Sequence, residues 1–246
     1  MSTLDADVMI LCGGLGTRLR SVTDTPKTMV PVMGRPLLDM VVEHLQSCGL
    51  KRFIFCTGYK GDVIEEYFTS SLRVRQRSVA DEASLPTYLF SEEKEPLGTA
   101  GALKLAEPLV RSKTVIALNG DSYCAMDYQA LLAFHHSKKA AATLAVRPAE
   151  GRVDGGYVTL DGQSQIVNFA EKNAAASRFL SMGIYAFKRQ VLDMIPSARK
   201  VSLEVDVFPS LAGKGCYAYQ TREPLYDIGT PERLETFLRA VESRKS

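Results

Sequence analysis

A glycine-rich stretch directly follows the first apolar run of the chain: Leu11-Cys12-Gly13-Gly14-Leu15-Gly16-Thr17-Arg18. The apolar run, Val8-Met9-Ile10-Leu11, is short and β-prone, which predicts a buried strand. Three glycines in four positions allow the backbone to approach a ligand closely, and the N–H groups of such a loop bind anions such as phosphate. Arg18 adds a planar fork of donors suited to phosphate oxygens, and Lys27 adds a compact positive charge.

The spacing of these glycines differs from two common phosphate-binding motifs. It is neither the P-loop pattern Gly-x-x-x-x-Gly-Lys-Ser/Thr nor the dinucleotide pattern Gly-x-Gly-x-x-Gly, so it predicts neither an ATPase nor a dinucleotide enzyme. Two glycines alone would favour a simple turn with the basic side chains in solvent. The addition of Arg18 and of Thr25-Pro26-Lys27 favours a phosphate site.

Length and composition indicate a soluble globular protein. The 246 residues suffice for one large α/β domain, with ordinary apolar and charged contents of 46% and 24%. A net charge of +2 without basic runs argues against nucleic-acid and membrane partners. Scattered cysteines, no Cys-x-x-Cys pair and no signal-peptide pattern favour the cytoplasm. The three histidines lack metal-ligand spacing. The sequence leaves the oligomeric state open, and a homo-oligomer is one of the states it allows.

Apolar patterns in the first half alternate between strands and helices. Helical spacing begins after Pro36, a second buried strand is predicted at Arg52–Thr57, and Asp62 with Glu65 forms a capping-box pattern for the next helix. The alternating basic residues of 73–77 suggest the exposed face of a further strand. The alternation of strands and helices predicts a mainly parallel sheet with helices on its faces.

Polar residues recur where strands end and helices begin. Asn119-Gly120-Asp121 follows the apolar run 114–118, and open α/β sheets bind ligands at the carboxyl ends of their strands. Thr99 is predicted to cap the helix after Gly98, and Asp127, Ser202 and Thr230 are predicted to cap three later helices. Short strands after residue 141 are predicted to extend the same sheet.

Together these motifs resemble the signature of sugar-1-phosphate nucleotidylyltransferases. That family has Gly-Gly-x-Gly-Thr-Arg-Leu and then Pro-Lys-Pro-Met-x-Pro-Val, and this chain has Thr28 in place of the second proline. Two further strings of this chain also match motifs of that family, namely Glu95-Pro96-Leu97-Gly98-Thr99-Ala100-Gly101-Ala102 and Asp227-Ile228-Gly229-Thr230-Pro231. Ser21-Val22 looks like the heptose-1-phosphate guanylyltransferase branch, and the string that begins at Ser202 occurs in heptose and mannose members.

The resemblance implies a Rossmann-like fold, a three-layer α/β/α sandwich with a mostly parallel mixed sheet. Residues 1–246 would form a single domain, with a nucleotide half at about 1–125 and a sugar-phosphate half at about 126–246. The implied reaction transfers a nucleotidyl group from an NTP, with GTP favoured, to a heptose or mannose 1-phosphate, for cell-surface polysaccharide precursors. A pyrimidine nucleotide with a hexose 1-phosphate is one alternative. A non-catalytic nucleotide-sugar-binding subunit is the other.

The resemblance also implies roles for individual residues. The expected catalytic residues are Arg18, Lys27 and Asp121, and the expected Mg²⁺ ligands are Asp121 and Asp227. The residues expected to bind the nucleotide are Leu11, Gly13, Gly14, Gly16, Thr17, Arg18, Lys27, Glu95, Gly98 and Thr99. Those expected to bind the sugar phosphate are Asn119, Gly156, Glu171, Lys172, Gly183, Ser202 and Glu204. The presence of the basic and acidic residues together argues against the non-catalytic alternative.

Overall fold

The computed structural model of the chain describes residues 4–14, 25–76, 85–149, 156–170 and 179–243. The strands are β1 (Asp7–Leu11), β2 (Pro31–Val32), β3 (Arg35–Pro36), β4 (Arg52–Thr57), β5 (Thr87–Glu92), β6 (Thr114–Asn119), β7 (Ser122–Cys124), β8 (Ala142–Pro148), β9 (Tyr157–Leu160), β10 (Ile166–Ala170), β11 (Phe179–Lys188), β12 (Cys216–Gln220) and β13 (Leu225–Asp227). The helices are α1 (Leu37–Ser47), α2 (Gly61–Gln76), α3 (Gly98–Ala106), α4 (Tyr128–Ser137) and α5 (Pro231–Ser243).

Within the described ranges, nine strands form one mixed sheet. Strands β5, β4, β1 and β6 lie side by side in that order and are parallel. Strand β11 then pairs antiparallel with β6, and β8, β9, β10 and β12 continue the sheet beyond it. The order reverses at β1, since the chain moves to one side through β4 and β5 and then crosses to β6. Such a reversal is where open α/β sheets bind ligands.

The two faces of the sheet carry separate apolar clusters. Val8 and Ile10 point into a cluster with residues of α1, α2, α4 and α5, whereas Met9 points into a cluster with residues of α3. This opposite orientation of neighbouring residues is the period of two that a strand buried on both faces requires. The predicted three-layer α/β/α sandwich with a mostly parallel mixed sheet is therefore confirmed.

The strand predicted from the alternating charges of 73–77 is wrong. Helix α2 continues to Gln76. Ile64 and Phe68, four residues apart, are buried on one side of this helix, and a five-residue alternation is too short to outweigh that helical period. The same helix begins at Gly61, so Asp62 lies in its first turn rather than at the predicted cap.

The predicted capping role of Thr99 is also wrong. Helix α3 begins at Gly98, and its Leu97 cap makes no side-chain hydrogen bond. The backbone carbonyl of Val201 instead accepts from Ala100 N at 3.0 Å and from Gly101 N at 3.3 Å. A distant segment thus satisfies the helix start, which frees the Thr99 hydroxyl for another role.

The other three predicted caps are confirmed. Asp127 accepts from two backbone N–H groups at the start of α4, at 2.9 and 3.0 Å. Ser202 accepts from Val205 N at 3.3 Å, ahead of a π-helical turn at Leu203–Val207. Thr230 accepts from Arg233 N at 3.4 Å at the start of α5.

All five cysteines are free, and four of them are buried. Among the helices that the structure describes, none is both long and apolar enough to cross a bilayer.

Candidate active site

The candidate site opens at the carboxyl ends of β1 and β6. These strands pair in parallel, with Leu11 opposite Asn119, so their following loops lie side by side. Gly13 and Gly14 follow β1, and Asp121 follows β6. Parallel pairing thus brings the glycine loop and the Asn-Gly-Asp turn to one edge of the sheet.

A second, two-stranded sheet brings Asp227 to Asp121. Strands β7 and β13 pair antiparallel, with Asp227 opposite Ser122, the residue after Asp121. Ile228 N donates to the Asp121 backbone carbonyl at 3.2 Å, which fixes the two turns against each other. The two aspartates predicted to share a cation therefore lie side by side.

Lys27 lies between these two carboxylates. Its Nζ contacts Asp121 Oδ2 directly and lies 3.8 Å from Asp227 Oδ1. On the other side of Asp227, Arg233 Nη1 donates to Asp227 Oδ2 at 2.5 Å. The result is a row of alternating charges, from Asp121 through Lys27 and Asp227 to Arg233.

A cavity of about 460 Å³, the glycine-loop cavity, lies beside this row. Seven of the predicted site residues line it: Leu11, Gly13, Gly14, Gly98, Thr99, Asn119 and Asp121. Glu95, also predicted to bind the nucleotide, is exposed and does not line the cavity. Glu93 lines it instead, and its Oε2 accepts from Leu97 N at 2.9 Å, which fixes the loop before α3.

Gly98 has a conformation and surroundings that exclude a larger residue. Its φ of +72° lies in the left-handed region, and an added Cβ would lie 2.5 Å from the Val201 carbonyl oxygen. Glycine therefore permits the close contact between Val201 and the start of α3, whose Gly98, Thr99 and Ala102 line the glycine-loop cavity.

A second cavity, of about 490 Å³, lies along β11 and is called here the β11 cavity. Five predicted residues line it: Asn119, Gly156, Gly183, Glu204 and Asp227. Asn119 lines both cavities, so the cavities meet at the end of β6. Gly183 has a φ of +68°, and a Cβ there would lie 2.5 Å from Asn119 Nδ2.

Glu204 is held by hydroxyl groups from three segments. Tyr185 donates to its Oε1 at 2.6 Å, and Thr99 and Ser202 each donate to its Oε2 at 3.0 Å. Burial, followed by the charge of Glu204, raises the pKa of Tyr185 well above its usual value. Ser202, predicted at the sugar site, thus reaches the β11 cavity through Glu204.

The donor set of the Asp121–Asp227 pair fits a magnesium ion. Mg²⁺ prefers hard oxygen ligands, and it typically uses one or two carboxylates together with water and phosphate oxygens. No cluster of three or more acidic, histidine or cysteine residues that could hold a metal occurs in the described part of the chain. Two aspartates next to the cavity that is predicted to bind phosphate match this chemistry.

Five predicted site residues, Gly16, Thr17, Arg18, Glu171 and Lys172, lie outside the described residues, as does Ser21-Val22. Sequence reasoning missed several polar residues that line the two cavities, among them Glu93, Arg147, Tyr185, Lys200 and Arg233. Tyr185 was part of a predicted strand and Arg233 part of a predicted helix, and neither had a local pattern that indicated a cavity. Lys200 was close to the recognised Ser202 string.

Comparison with known proteins gives consistent results. A family model described as nucleotidyl transferase matches residues 7–244. Mannose-1-phosphate guanylyltransferase of Mycobacterium tuberculosis is 35% identical over 94% of this chain, which spans 63% of that relative. D-glycero-alpha-D-manno-heptose 1-phosphate guanylyltransferase of Aneurinibacillus thermoaerophilus is 32% identical, with 92% and 94% of the two chains covered. The crystal structure of HddC from Yersinia pseudotuberculosis complexed with GMP-PN has a TM-score of 0.78 at 29% identity, covering 96% of this chain and 99% of HddC.

Proposed function

Since the chain belongs to the nucleotidyl transferase family, we propose that it transfers a guanylyl group from GTP to a heptose or mannose 1-phosphate and releases pyrophosphate. The family predicted from the sequence is confirmed. The observation that carries the proposal is the position of Lys27, which joins Asp121 on the glycine-loop cavity to Asp227 on the β11 cavity. Two substrates, one in each cavity, would meet at this cation.

The proposed reaction needs little covalent chemistry from the protein. A phosphate oxygen of the sugar 1-phosphate attacks the α-phosphorus of GTP, and the bond from that phosphorus to the β-phosphate oxygen breaks. The attacking phosphate is largely a dianion near neutral pH because its second pKa is about 6, so no general base is required. Catalysis then consists of alignment of two anions and stabilisation of charge at the α-phosphorus.

The residues that would perform these tasks follow from the two cavities. Gly13, Gly14 and the residues that follow them as far as Arg18 would hold the β- and γ-phosphates. Lys27 would leave its carboxylate partners for the α-phosphoryl group, where its charge stabilises the transition state. In the β11 cavity, Glu204 would accept a sugar hydroxyl, and the Glu171-Lys172 pair would complete the sugar-phosphate site.

Asp121 and Asp227 are proposed to hold Mg²⁺. When bound, the ion would offset phosphate charge and orient the phosphate oxygens. The protein's own part is to keep two carboxylates adjacent, and Lys27 and Arg233 balance their charge in the structure. Arg233 also lines the β11 cavity, in which the sugar phosphate would bind.

The choice of GTP rests on the relatives, because those described above are named guanylyltransferases and the HddC structure contains GMP-PN. The choice between the two sugars stays open, because one relative is named for mannose and the other for heptose. The product would be a nucleotide-activated sugar for polysaccharide synthesis in the cytoplasm.

A matrix of substrates tests the proposal. The purified protein is assayed with GTP, ATP, UTP, CTP and dTTP against mannose, heptose and glucose 1-phosphates, with pyrophosphate release as the readout. Turnover is expected with GTP and with mannose or heptose 1-phosphate. Turnover only with a pyrimidine nucleotide and glucose 1-phosphate would show that the proposed substrates are wrong and that the alternative substrates are right. GTP binding without turnover in any combination of substrates would contradict the proposal that the protein is an enzyme.

The metal proposal is tested by direct binding as well as by activity. Asp227→Asn is expected to weaken Mn²⁺ binding, followed by electron paramagnetic resonance, at least tenfold, since removal of one carboxylate takes away a hard ligand. It should also abolish most Mg²⁺-dependent turnover. Asp39→Asn is the matched control, because Asp39 is also paired with an arginine, at 2.6 Å, but lines neither cavity. Full activity in excess chelator would contradict the proposal.

A further inference from the structure

Glu204 connects the walls of the two cavities through hydrogen bonds. Thr99, in the first turn of α3, lines the glycine-loop cavity, whereas Tyr185 and Glu204 line the β11 cavity. Thr99 Oγ1 donates to Glu204 Oε2 at 3.0 Å, and the Tyr185 hydroxyl donates to Glu204 Oε1 at 2.6 Å. One carboxylate is thus fixed from both sides.

The direction of each hydrogen bond in this network is determined. A carboxylate only accepts, and each hydroxyl has one proton, so Tyr185, Thr99 and Ser202 all commit that proton to Glu204. The oxygens of Thr99 and Ser202 in turn accept from Leu203 N at 2.8 Å and Val205 N at 3.3 Å. Each of these two hydroxyls thus accepts from a backbone N–H group and donates to Glu204.

The two carboxylate oxygens differ in what they can still accept. A carboxylate has about four acceptor positions, two on each oxygen. Oε2 receives two hydroxyl groups, from Thr99 and Ser202, and Oε1 receives one, from Tyr185. Within the described network, Oε1 therefore keeps one position for a donor in the β11 cavity, such as a sugar hydroxyl. Tyr185 is 1% exposed, and its raised pKa keeps it a donor at all ordinary pH values.

We propose that Thr99 and Tyr185 are positioning residues for the sugar site. Their hydroxyls orient Glu204 so that its Oε1 accepts a hydrogen bond from one hydroxyl of the sugar. This inference rests on the proposed function. Its consequence is that Thr99, which lines the glycine-loop cavity, controls the affinity of the protein for the sugar phosphate. The Thr99 hydroxyl donates to Glu204 and accepts from Leu203 N, so it is already engaged on both counts.

The test uses Thr99→Val and Tyr185→Phe, which remove one hydroxyl each with little change in volume. Each variant is expected to raise KM for mannose or heptose 1-phosphate about tenfold, because a hydrogen bond to a charged group is lost. The KM for GTP should stay within about twofold of the wild type. Thr99→Ser keeps the hydroxyl and should restore the wild-type KM for the sugar phosphate.

Thr143→Val is the matched control for loss of a hydroxyl. Thr143 is buried and its Oγ1 lies 2.9 Å from His135 Nδ1, but it lines neither cavity. It should lower the unfolding temperature without changing either KM. Calorimetric titration of each variant with the sugar 1-phosphate alone measures the same loss without turnover.

The outcomes separate the inference from the proposed function. A higher KM for GTP in Thr99→Val, with the sugar KM unchanged, would make Thr99 a nucleotide contact and overturn the inference. So would a pattern in Thr99→Val equal to that of the Thr143→Val control, which would indicate a purely structural hydroxyl. Absence of turnover in the wild type with every substrate pair would overturn the proposed function itself.

Discussion

Lys27 is the residue on which both carboxylates of the site converge. Its ammonium contacts Asp121 and lies 3.8 Å from Asp227 Oδ1, and 17% of its side chain is exposed. In the proposed reaction this charge acts mainly in the transition state. Lys27→Ala is therefore expected to lower kcat about 100- to 1000-fold and to change KM for GTP much less, as measured by steady-state kinetics with pyrophosphate detection.

Lys104 provides a matched control for this lysine. Its side chain is 18% exposed and pairs with Glu107 at 2.7 Å, and it lines neither cavity. Lys104→Ala should leave kcat unchanged. An equal loss of kcat in both variants, or none in Lys27→Ala, would contradict the role given to Lys27.

His135 gives a prediction for stability against pH. Burial, then the neighbouring His136 and Lys188, lowers the pKa of His135 to about 4, whereas an unfolded histidine titrates near 6.5. Between these values the unfolded chain binds more protons, so stability is complete above about pH 6.5 and falls as the pH drops towards 4. The loss is expected to be about 1–3 kcal/mol.

Urea unfolding at pH 7 and pH 4.5 measures this loss. His135→Asn is the comparison, because its amide can take the place of Nδ1 beside Thr143 and does not titrate in this range. The variant should lose less stability over the same interval. Identical pH dependence in both proteins would exclude His135 as the cause.

At the scale of elements, the start of α3 depends on Val201. The Val201 carbonyl satisfies two N–H groups of the helix and lies 2.5 Å from where a Gly98 Cβ would be. Gly98→Ala would both strain a φ of +72° and displace this carbonyl. We expect a loss of about 1–3 kcal/mol in the free energy of unfolding, measured by thermal unfolding, and a higher KM for GTP.

Gly162→Ala is the corresponding control. Gly162 is exposed, and no atom lies within 4 Å of the position that its Cβ would take. The change is expected to alter the unfolding temperature by less than the Gly98 variant and to leave KM unchanged. Equal destabilisation in the two variants would show that α3 does not depend on the close contact with Val201.

At the scale of the whole molecule, one strand connects the two predicted halves. Strand β6 pairs with β1 on one side and with β11 on the other. One apolar cluster also contains residues from both halves, such as Val8, Leu132 and Phe237. The single domain predicted for 1–246 should therefore unfold in one calorimetric transition whose calorimetric and van't Hoff enthalpies agree. Two resolved transitions would contradict it.

The amino-acid sequence by itself was enough to predict the elements that local patterns specify. Buried strands such as β1 and β4 followed from short apolar runs, and the caps Asp127 and Thr230 from side chains that bond to N–H groups two or three residues away. The parallel arrangement followed from the alternation of strands and helices. One error was local, since the alternation of 73–77 was too short to outweigh the helical period of α2. Another arose where a distant segment decided, at Thr99, whose predicted capping role is taken by Val201.

Only the tertiary structure decided how the candidate site is assembled. Motif resemblance named Lys27, Asp121 and Asp227 from the sequence, but their adjacency depends on the pairing of β7 with β13. The link from Thr99 through Glu204 to Tyr185 depends likewise on segments that are far apart in the chain. Local sequence patterns have periods of two to four residues. Contacts between distant segments depend on strand pairing and packing, which no single segment encodes.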